Sequence, residues 1–255
     1  LKIKSFGSSS SGNAYLLDDG ASVLLIECGF TFKNLVKMIR EAEYSVSQLA
    51  GVLISHEHSD HAACWDKLVD YGLKVYASDG TIGALAKKNP GYAQRMIPLA
   101  PEPGQDVSAP TSIGSFDVLA FRTFHDAAEP VGFLIRSRED REKLVFATDT
   151  VNLRYHFPGV TKMMLEANYS EALVDPNSRV PESVVKRIRN THMELDTLCE
   201  YLRGQNLSEC REIYLMHLSD HSSSEYIFYH KVKDAVPGHV KVYIFPKGGP
   251  QKRRK

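Results

Sequence analysis

Within the stretch "LISHEHSDHAA", residues 53–63, His56, His58, Asp60 and His61 place four candidate metal ligands in six consecutive positions. Imidazole and carboxylate are the usual ligands of zinc and related divalent ions. His56 and His58 follow a short apolar run that reads as a strand. In extended backbone, residues two apart point to the same side, so both rings can grip one ion. Asp60 and His61 are adjacent and lie at the start of the next helical stretch. Sequence neighbours there do not face the same way, which places this second pair to reach a different point. The spacing therefore points to two ions rather than one. A polar loop with chance histidines is the plain alternative, and the ligand density stands against it.

Elements that could position these ligands are legible on either side. "KIKSF" reads as a strand, and "AYLLDDGASVLLIECG" as a hairpin turning at Asp19-Gly20. "NLVKMIREA", "AACWDKLVDYG" (stopped by Gly72) and "TIGALAKK" read as helices, and "GVLIS" and "LKVYAS" as strands. The middle of the chain is mostly β, with strands in "SFDVLAFRTFH", "VGFLIRS", "KLVFATD" and "TKMMLEANY". The last third reads helical in "PESVVKRIRN", "ELDTLCEYLRG" and "SSEYIFYHKVKDA", interrupted by the strands "EIYLMH" and "VKVYIF". A β-rich middle with helices toward both ends predicts two sheets in a sandwich with helices outside, one α/β domain over residues 1–255. An ordinary doubly wound sheet is the alternative and fits this order less well.

Bulk properties narrow the class. Of 255 residues, 43% are hydrophobic, enough for a sizeable core, and Lys+Arg balance Asp+Glu at 31 each. That balance argues against a strongly basic nucleic-acid binder, and the basic tail "QKRRK" reads as a solvated charge run. Cys28, Cys64, Cys199 and Cys210 show no C-x-x-C spacing and read as buried thiols in a reducing compartment. No run of eighteen apolar residues and no charged-then-apolar leader appears, so a cytoplasmic protein with no membrane partner is expected.

The motif H-x-H-x-D-H resembles that of the metallo-β-lactamase-fold hydrolases, an αββα sandwich with ligands at strand ends along one edge. The remaining ligands of that family are matched in order, in "FRTFHDAAEP", "LVFATDT" and "IYLMHLSDH". The resemblance implies that His56, His58 and His125 hold one ion, that Asp60, His61 and His217 hold a second, and that Asp149 bridges them. Zinc is the default for such a set, with manganese an accepted substitute. The absence of a cysteine ligand is similar to the two-metal phosphodiesterase branch. "MMLEANYS" and "NTHMELDTLCEYL" resemble segments of the ribonuclease Z-like branch. By that resemblance His192 protonates the leaving oxygen and Glu166 orients it, so Asp60, His192 and Glu166 are the expected catalytic residues. Read without the resemblance, His192 is a solvent-facing residue at a helix start.

Ribonuclease Z enzymes insert a long tRNA-gripping arm between the motifs matching His125 and Asp149. Here only residues 126–148 separate them, which argues, with the zero net charge, against a large polyanion. The whole pattern most resembles small phage and bacterial members such as the anti-Pycsar phosphodiesterases. That resemblance implies a small 3′,5′-cyclic nucleotide substrate and a homodimer. The WalJ/YycJ-type exonucleases share "SGN" and "HEHSDH" and imply the competing activity, on DNA or RNA ends. "GSSSSGN" reads equally as flexible linker or as a turn near the metal mouth. Tyr155, His156, Asn168 and Tyr169 are weaker pocket candidates. His221, His230 and His239 read as surface residues.

Overall fold

Strands whose residues are apolar on both faces must be covered on both faces, and this dictates the layering. The computed structural model describes residues 1–174 and 181–248. The "QKRRK" tail lies outside them. Strands β1 (Lys2–Gly7), β2 (Ala14–Asp18), β3 (Val23–Ile26), β4 (Leu49–Leu53), β5 (Val75–Ala77) and β6 (Ile97–Pro98) form one six-stranded sheet in that order. Helices α1 (Phe32–Glu41), α2 (Ser59–Ala62), α3 (Trp65–Asp70) and α4 (Asp79–Leu85) accompany this half of the chain. Strands β7 (Thr111–Ile113), β8 (Phe116–Arg122), β9 (Val131–Ser137), β10 (Lys143–Ala147), β11 (Lys162–Glu166), β12 (Glu212–Met216) and β13 (Lys241–Ile244) form the second sheet, ordered β13-β12-β11-β10-β9-β8-β7. Helices α5 (Glu182–Thr191), α6 (Leu195–Arg203) and α7 (Glu225–Ala235) belong to this half.

Alternation along the strands sorts the core into three layers. Tyr15, Leu17, Leu24 and Ile26 of the first sheet meet Phe133, Leu144, Phe146 and Met164 of the second between the sheets. Their neighbours Leu16, Val23 and Leu25 turn outward onto Leu35 and Ile39 of α1. Val145, Met163, Leu165 and Ile213 turn outward onto Leu198 and Leu202 of α6 and Phe228 of α7. This is the αββα sandwich expected from the pattern, in a single domain.

Strand direction then fixes where the ligands emerge. β10, β11 and β12 are mutually parallel. β8 and β10 both run antiparallel to β9, so β8 runs with them. The C-terminal ends of β8, β10, β11 and β12 therefore lie along one edge, and His125, Asp149, Glu166 and His217 all sit at or just past those ends.

Two local expectations are corrected, and two strands were not foreseen. The helix read through residues 62–72 is interrupted: α2 is a single turn ending at Ala62, and α3 begins at Trp65. The backbone there pairs across to the end of β3 instead, with Cys28 N–H donating to the His61 carbonyl and Cys64 N–H to the Cys28 carbonyl. β6 and β7 are too short, at two and three residues, to leave a periodic signal. His192 caps the C-terminus of α5 rather than opening a helix.

Candidate active site

Three site residues at or just past strand ends adopt left-handed backbone: Glu27 (φ 63°), Asp149 (φ 46°) and His217 (φ 55°). For residues other than glycine this region is sparsely populated, and such conformations persist where surrounding contacts over-determine them. Here the contacts are identifiable. Glu27 N–H donates to the Leu53 carbonyl at 2.9 Å, and His217 N–H donates to Ser8 Oγ at 2.9 Å. The turn aims each side chain back across the sheet edge.

Two donor sets result. His58 Nδ1 lies 3.1 Å from His56 Nε2 and 3.2 Å from His125 Nε2. Asp149 Oδ2 is 3.8 Å from the first of those Nε2 atoms and 3.5 Å from the second. Alongside, Asp60 Oδ2 lies 3.3 Å from His61 Nε2 and 3.5 Å from His217 Nε2. The same Asp149 Oδ2 is 3.5 Å from His61 Nε2. The donor atoms within each set all lie within 4.8 Å of one another.

The protonation states favour a cation. His125 Nδ1 is 2.8 Å from the Thr191 carbonyl, which only accepts, so the proton sits on Nδ1 and Nε2 presents a lone pair. His56 Nδ1 is engaged by Ser55 Oγ at 2.8 Å, which leaves Nε2 to face the other rings. Burial disfavours a proton on His56 and His125, so the ring nitrogens of the first set converge on Asp149 with few protons between them. In the second set, buried His217 Nε2 has no hydrogen-bond partner. Both donor sets could hold a divalent ion.

Burial and neighbours set the charges differently in the two sets. Burial, opposed only in part by Asp149, holds His56 well below the ordinary imidazole value. Burial opposes a charge on His217, but Asp149, Asp60 and Glu166 outweigh it and push that histidine up to about 10. Burial likewise opposes the charge on Asp149, and His217 and His61 outweigh it and keep the carboxyl ionised. In the metal-free site these carboxylates hold protons on His217 and His61, and a divalent ion would take the place of those protons.

His192 and Glu166 stand beside both sets. His192 Nδ1 is 2.6 Å from Glu166 Oε1, and its ring stacks on His217 with centroids 5.5 Å apart. Glu166 is fully buried, and its Oε2 accepts N–H bonds from Thr150 at 2.9 Å and Met193 at 3.2 Å. The solvent-facing reading of His192 does not hold.

Several contributors are not visible in the motif. Glu27, fully buried, accepts Ser55 N–H at 3.2 Å and places Oε2 3.7 Å from His61 Nδ1. A carboxylate ending the apolar run "VLLIE" is the signal that could have found it. Asn13 Nδ2 donates to the Asp60 carbonyl at 3.1 Å, and Ser8 braces His217, so the "GSSSSGN" turn packs behind the ligands rather than acting as linker. Asp126 Oδ1 lies 3.2 Å from His125 Nε2, and Arg187 Nε donates to Asp126 Oδ2 at 2.7 Å. Among the weaker candidates, Asn168 Nδ2 donates to the His217 carbonyl at 2.8 Å. Tyr169 is buried, and Tyr155 packs on Phe121 and Phe157. His156, His221, His230 and His239 are exposed.

The sequence matches the family described as "Beta-lactamase superfamily domain" over residues 23–218. It is 27% identical over 226 residues to the exodeoxyribonuclease YycJ of Bacillus anthracis, covering 86% of this chain and 83% of that protein. Among solved structures, the metallo-β-lactamase fold protein YhfI of Bacillus subtilis is similar with a TM-score of 0.68 at 19% identity, covering 97% of both chains. The short form of human tRNase Z is similar with a TM-score of 0.65 at 12% identity, again covering 97% of both. At these identities the two structural matches speak to the fold.

Proposed function

The chain belongs to the beta-lactamase superfamily and is a metal-dependent hydrolase; on that premise we propose that it is a two-metal phosphodiesterase acting at the end of a nucleic-acid strand. The observation that carries this reading is two adjoining His/Asp donor sets, with Asp149 Oδ2 3.5 Å from both His125 Nε2 and His61 Nε2, beside the buried Glu166–His192 pair. In this reading His56, His58 and His125 hold one ion, Asp60, His61 and His217 hold the other, and Asp149 bridges. When bound, such ions activate water and neutralise charge on phosphoryl oxygens. Zinc is the first choice, and manganese suits the same ligands.

The remaining chemistry falls to the protein. An alkoxide leaves a phosphodiester poorly without a proton. Glu166 accepts His192 Nδ1–H and favours the charged imidazolium, and stacking on His217 fixes the ring, so Nε2–H would deliver that proton and leave His192 neutral. Thr191, next to His192, anchors His125 through its carbonyl, so one short segment sets both the proton donor and a metal ligand.

The strand-end substrate is favoured by the activity of the Bacillus anthracis relative, aligned over most of both chains. A small 3′,5′-cyclic nucleotide, as for the anti-Pycsar enzymes, is the second reading. One observation favours it: β9, its flanking loops and a tight turn at residues 138–142 fill the interval between His125 and Asp149, with no strand-gripping arm. A homodimer belongs to that reading, and light scattering of the purified protein tests it. The decisive assay offers the metal-loaded protein end-labelled single-stranded and duplex DNA and, separately, 3′,5′-cyclic mononucleotides. Stepwise shortening of DNA supports the first reading. Opened cyclic nucleotides with intact DNA would replace it with the second.

A further inference from the structure

Phe124 is 36% exposed although it directly precedes His125, whose side chain is buried. Its position is fixed by the segment that follows Asp149. Phe124 N–H donates to Thr150 Oγ1 at 3.0 Å, and its carbonyl accepts Val151 N–H at 3.1 Å. The same segment then supplies Arg154, whose guanidinium carbon lies 4.3 Å from the centre of the Phe124 ring. The pair is thus built from two stretches that each carry a site residue, His125 in one and Asp149 in the other.

Neighbouring arginines are committed elsewhere. Arg187 is bonded to Asp126, Arg189 to Glu171, and Arg122 faces Glu129 at 3.6 Å. Exposed Arg154 makes no hydrogen bond or ion pair among the described residues, and the aromatic face alone parks it. A guanidinium held in place with its donors unused is pre-organised for an anion, because little side-chain freedom remains to be lost on binding. An exposed ring beneath it is the other half of a common single-strand device, in which aromatic faces stack bases and arginines follow the backbone.

We infer that Phe124 and Arg154 form a subsite for the nucleotide next to the scissile phosphodiester, the ring taking its base and the guanidinium its phosphate. This rests on the strand-end reading and sharpens it. A cyclic mononucleotide has no second phosphate, so Arg154 discriminates between the two substrate classes.

The test compares wild type with Arg154→Ala, Arg154→Lys, Phe124→Ala and Phe124→Tyr by steady-state kinetics. The substrates are a single-stranded oligodeoxynucleotide, its counterpart with an uncharged methylphosphonate beside the cleaved bond, a counterpart abasic at that nucleotide, and bis(p-nitrophenyl) phosphate. On the normal oligonucleotide, Arg154→Ala raises KM about tenfold with kcat within twofold. Its dependence of log KM on log salt flattens by about 0.7, as one lost single-strand phosphate contact requires. The KM penalty vanishes on the methylphosphonate strand, and Arg154→Lys recovers part of it. Phe124→Ala raises KM on the normal strand and not on the abasic one, and Phe124→Tyr behaves as wild type. The chromogenic diester, too short to reach the subsite, keeps its KM throughout. An unchanged KM on the normal oligonucleotide, or equal losses on all substrates, overturns the subsite while the strand-end reading stands. A wild-type protein that cleaves the chromogenic diester and cyclic nucleotides but no oligonucleotide overturns both.

Discussion

At the scale of single residues, the side chains that would hold metal are distinct from His192 and Glu166, which would move the proton. His192→Ala is expected to keep its metal content, measured by plasma mass spectrometry, while kcat falls by roughly 10²–10⁴. Glu166→Gln should fall in the same direction, since it removes the carboxylate charge that holds a proton on His192 across their 2.6 Å contact. Loss of metal in His192→Ala would mean its role has been misassigned. Gly29 offers a separate test of ligand placement. A methyl group there would sit 1.7 Å from the Asp60 carbonyl oxygen, so the chain tolerates no side chain at that point. Gly29→Ala is expected to lower the affinity of the Asp60 donor set, read by metal titration, more than that of the His56 set. His56, His58, Asp60 and His61 stand out by density, four in six positions, whereas His125, Asp149 and His217 were reached through the family resemblance rather than through spacing. Glu27 and Ser55 were reached by neither, because what makes them matter is a ring nitrogen lying behind another residue's motif. Nor could sequence show the left-handed backbone at Asp149 and His217, which depends on the contacts that enforce it.

At the scale of elements, the question is what keeps two sheets in register so that ligands from both meet. One tie is Asp19, in the β2–β3 turn. Its Oδ2 accepts hydroxyl bonds from Ser115 at 2.6 Å, just before β8, and from Ser137 at 2.9 Å, at the end of β9. Burial works against ionisation of Asp19, but these serines and the backbone of Ser22 and Ala21 outweigh it and lower its pKa. A depressed carboxyl contributes stability that is complete above the ordinary carboxylate value of about 3.9 and is lost as pH falls through the folded value. Asp19→Asn should therefore lower stability at neutral pH and show a shallower loss of stability in acid than wild type, followed by urea unfolding at several pH values. An identical acid limb in both proteins would show that the tie contributes nothing. Most strands were readable, since "AYLLD", "VLLI" and "KMMLE" are too apolar to be exposed on either face. The break between α2 and α3 was not, because helical spacing continues through Ala63 and Cys64 while their backbone answers to Cys28, far away in sequence.

At the scale of the whole molecule, the ions would join the two sheets, since β4 belongs to one and β8, β10 and β12 to the other. Binding that favours the folded state stabilises it, by about 2.7 kcal/mol when the free ion is at a hundred times its Kd. For a chain of this size, stripping with a chelator is expected to lower Tm on the order of 5–10 °C, and to do so far less in Asp149→Ala. Substrate class is the least legible level: the short interval after His125 points to a small substrate, whereas the relative aligned over most of the chain cuts DNA. The central claim, however, is the pair of ions sharing Asp149, and one measurement addresses it directly. Metal-stripped protein is titrated with zinc or manganese and its stoichiometry read by calorimetry, for wild type, His217→Ala and Asp149→Ala. Two ions per chain in wild type, one in His217→Ala and weakened binding at both positions in Asp149→Ala is the predicted result. A single equivalent in fully active wild type, or a full complement of tightly bound ions in Asp149→Ala, would contradict it.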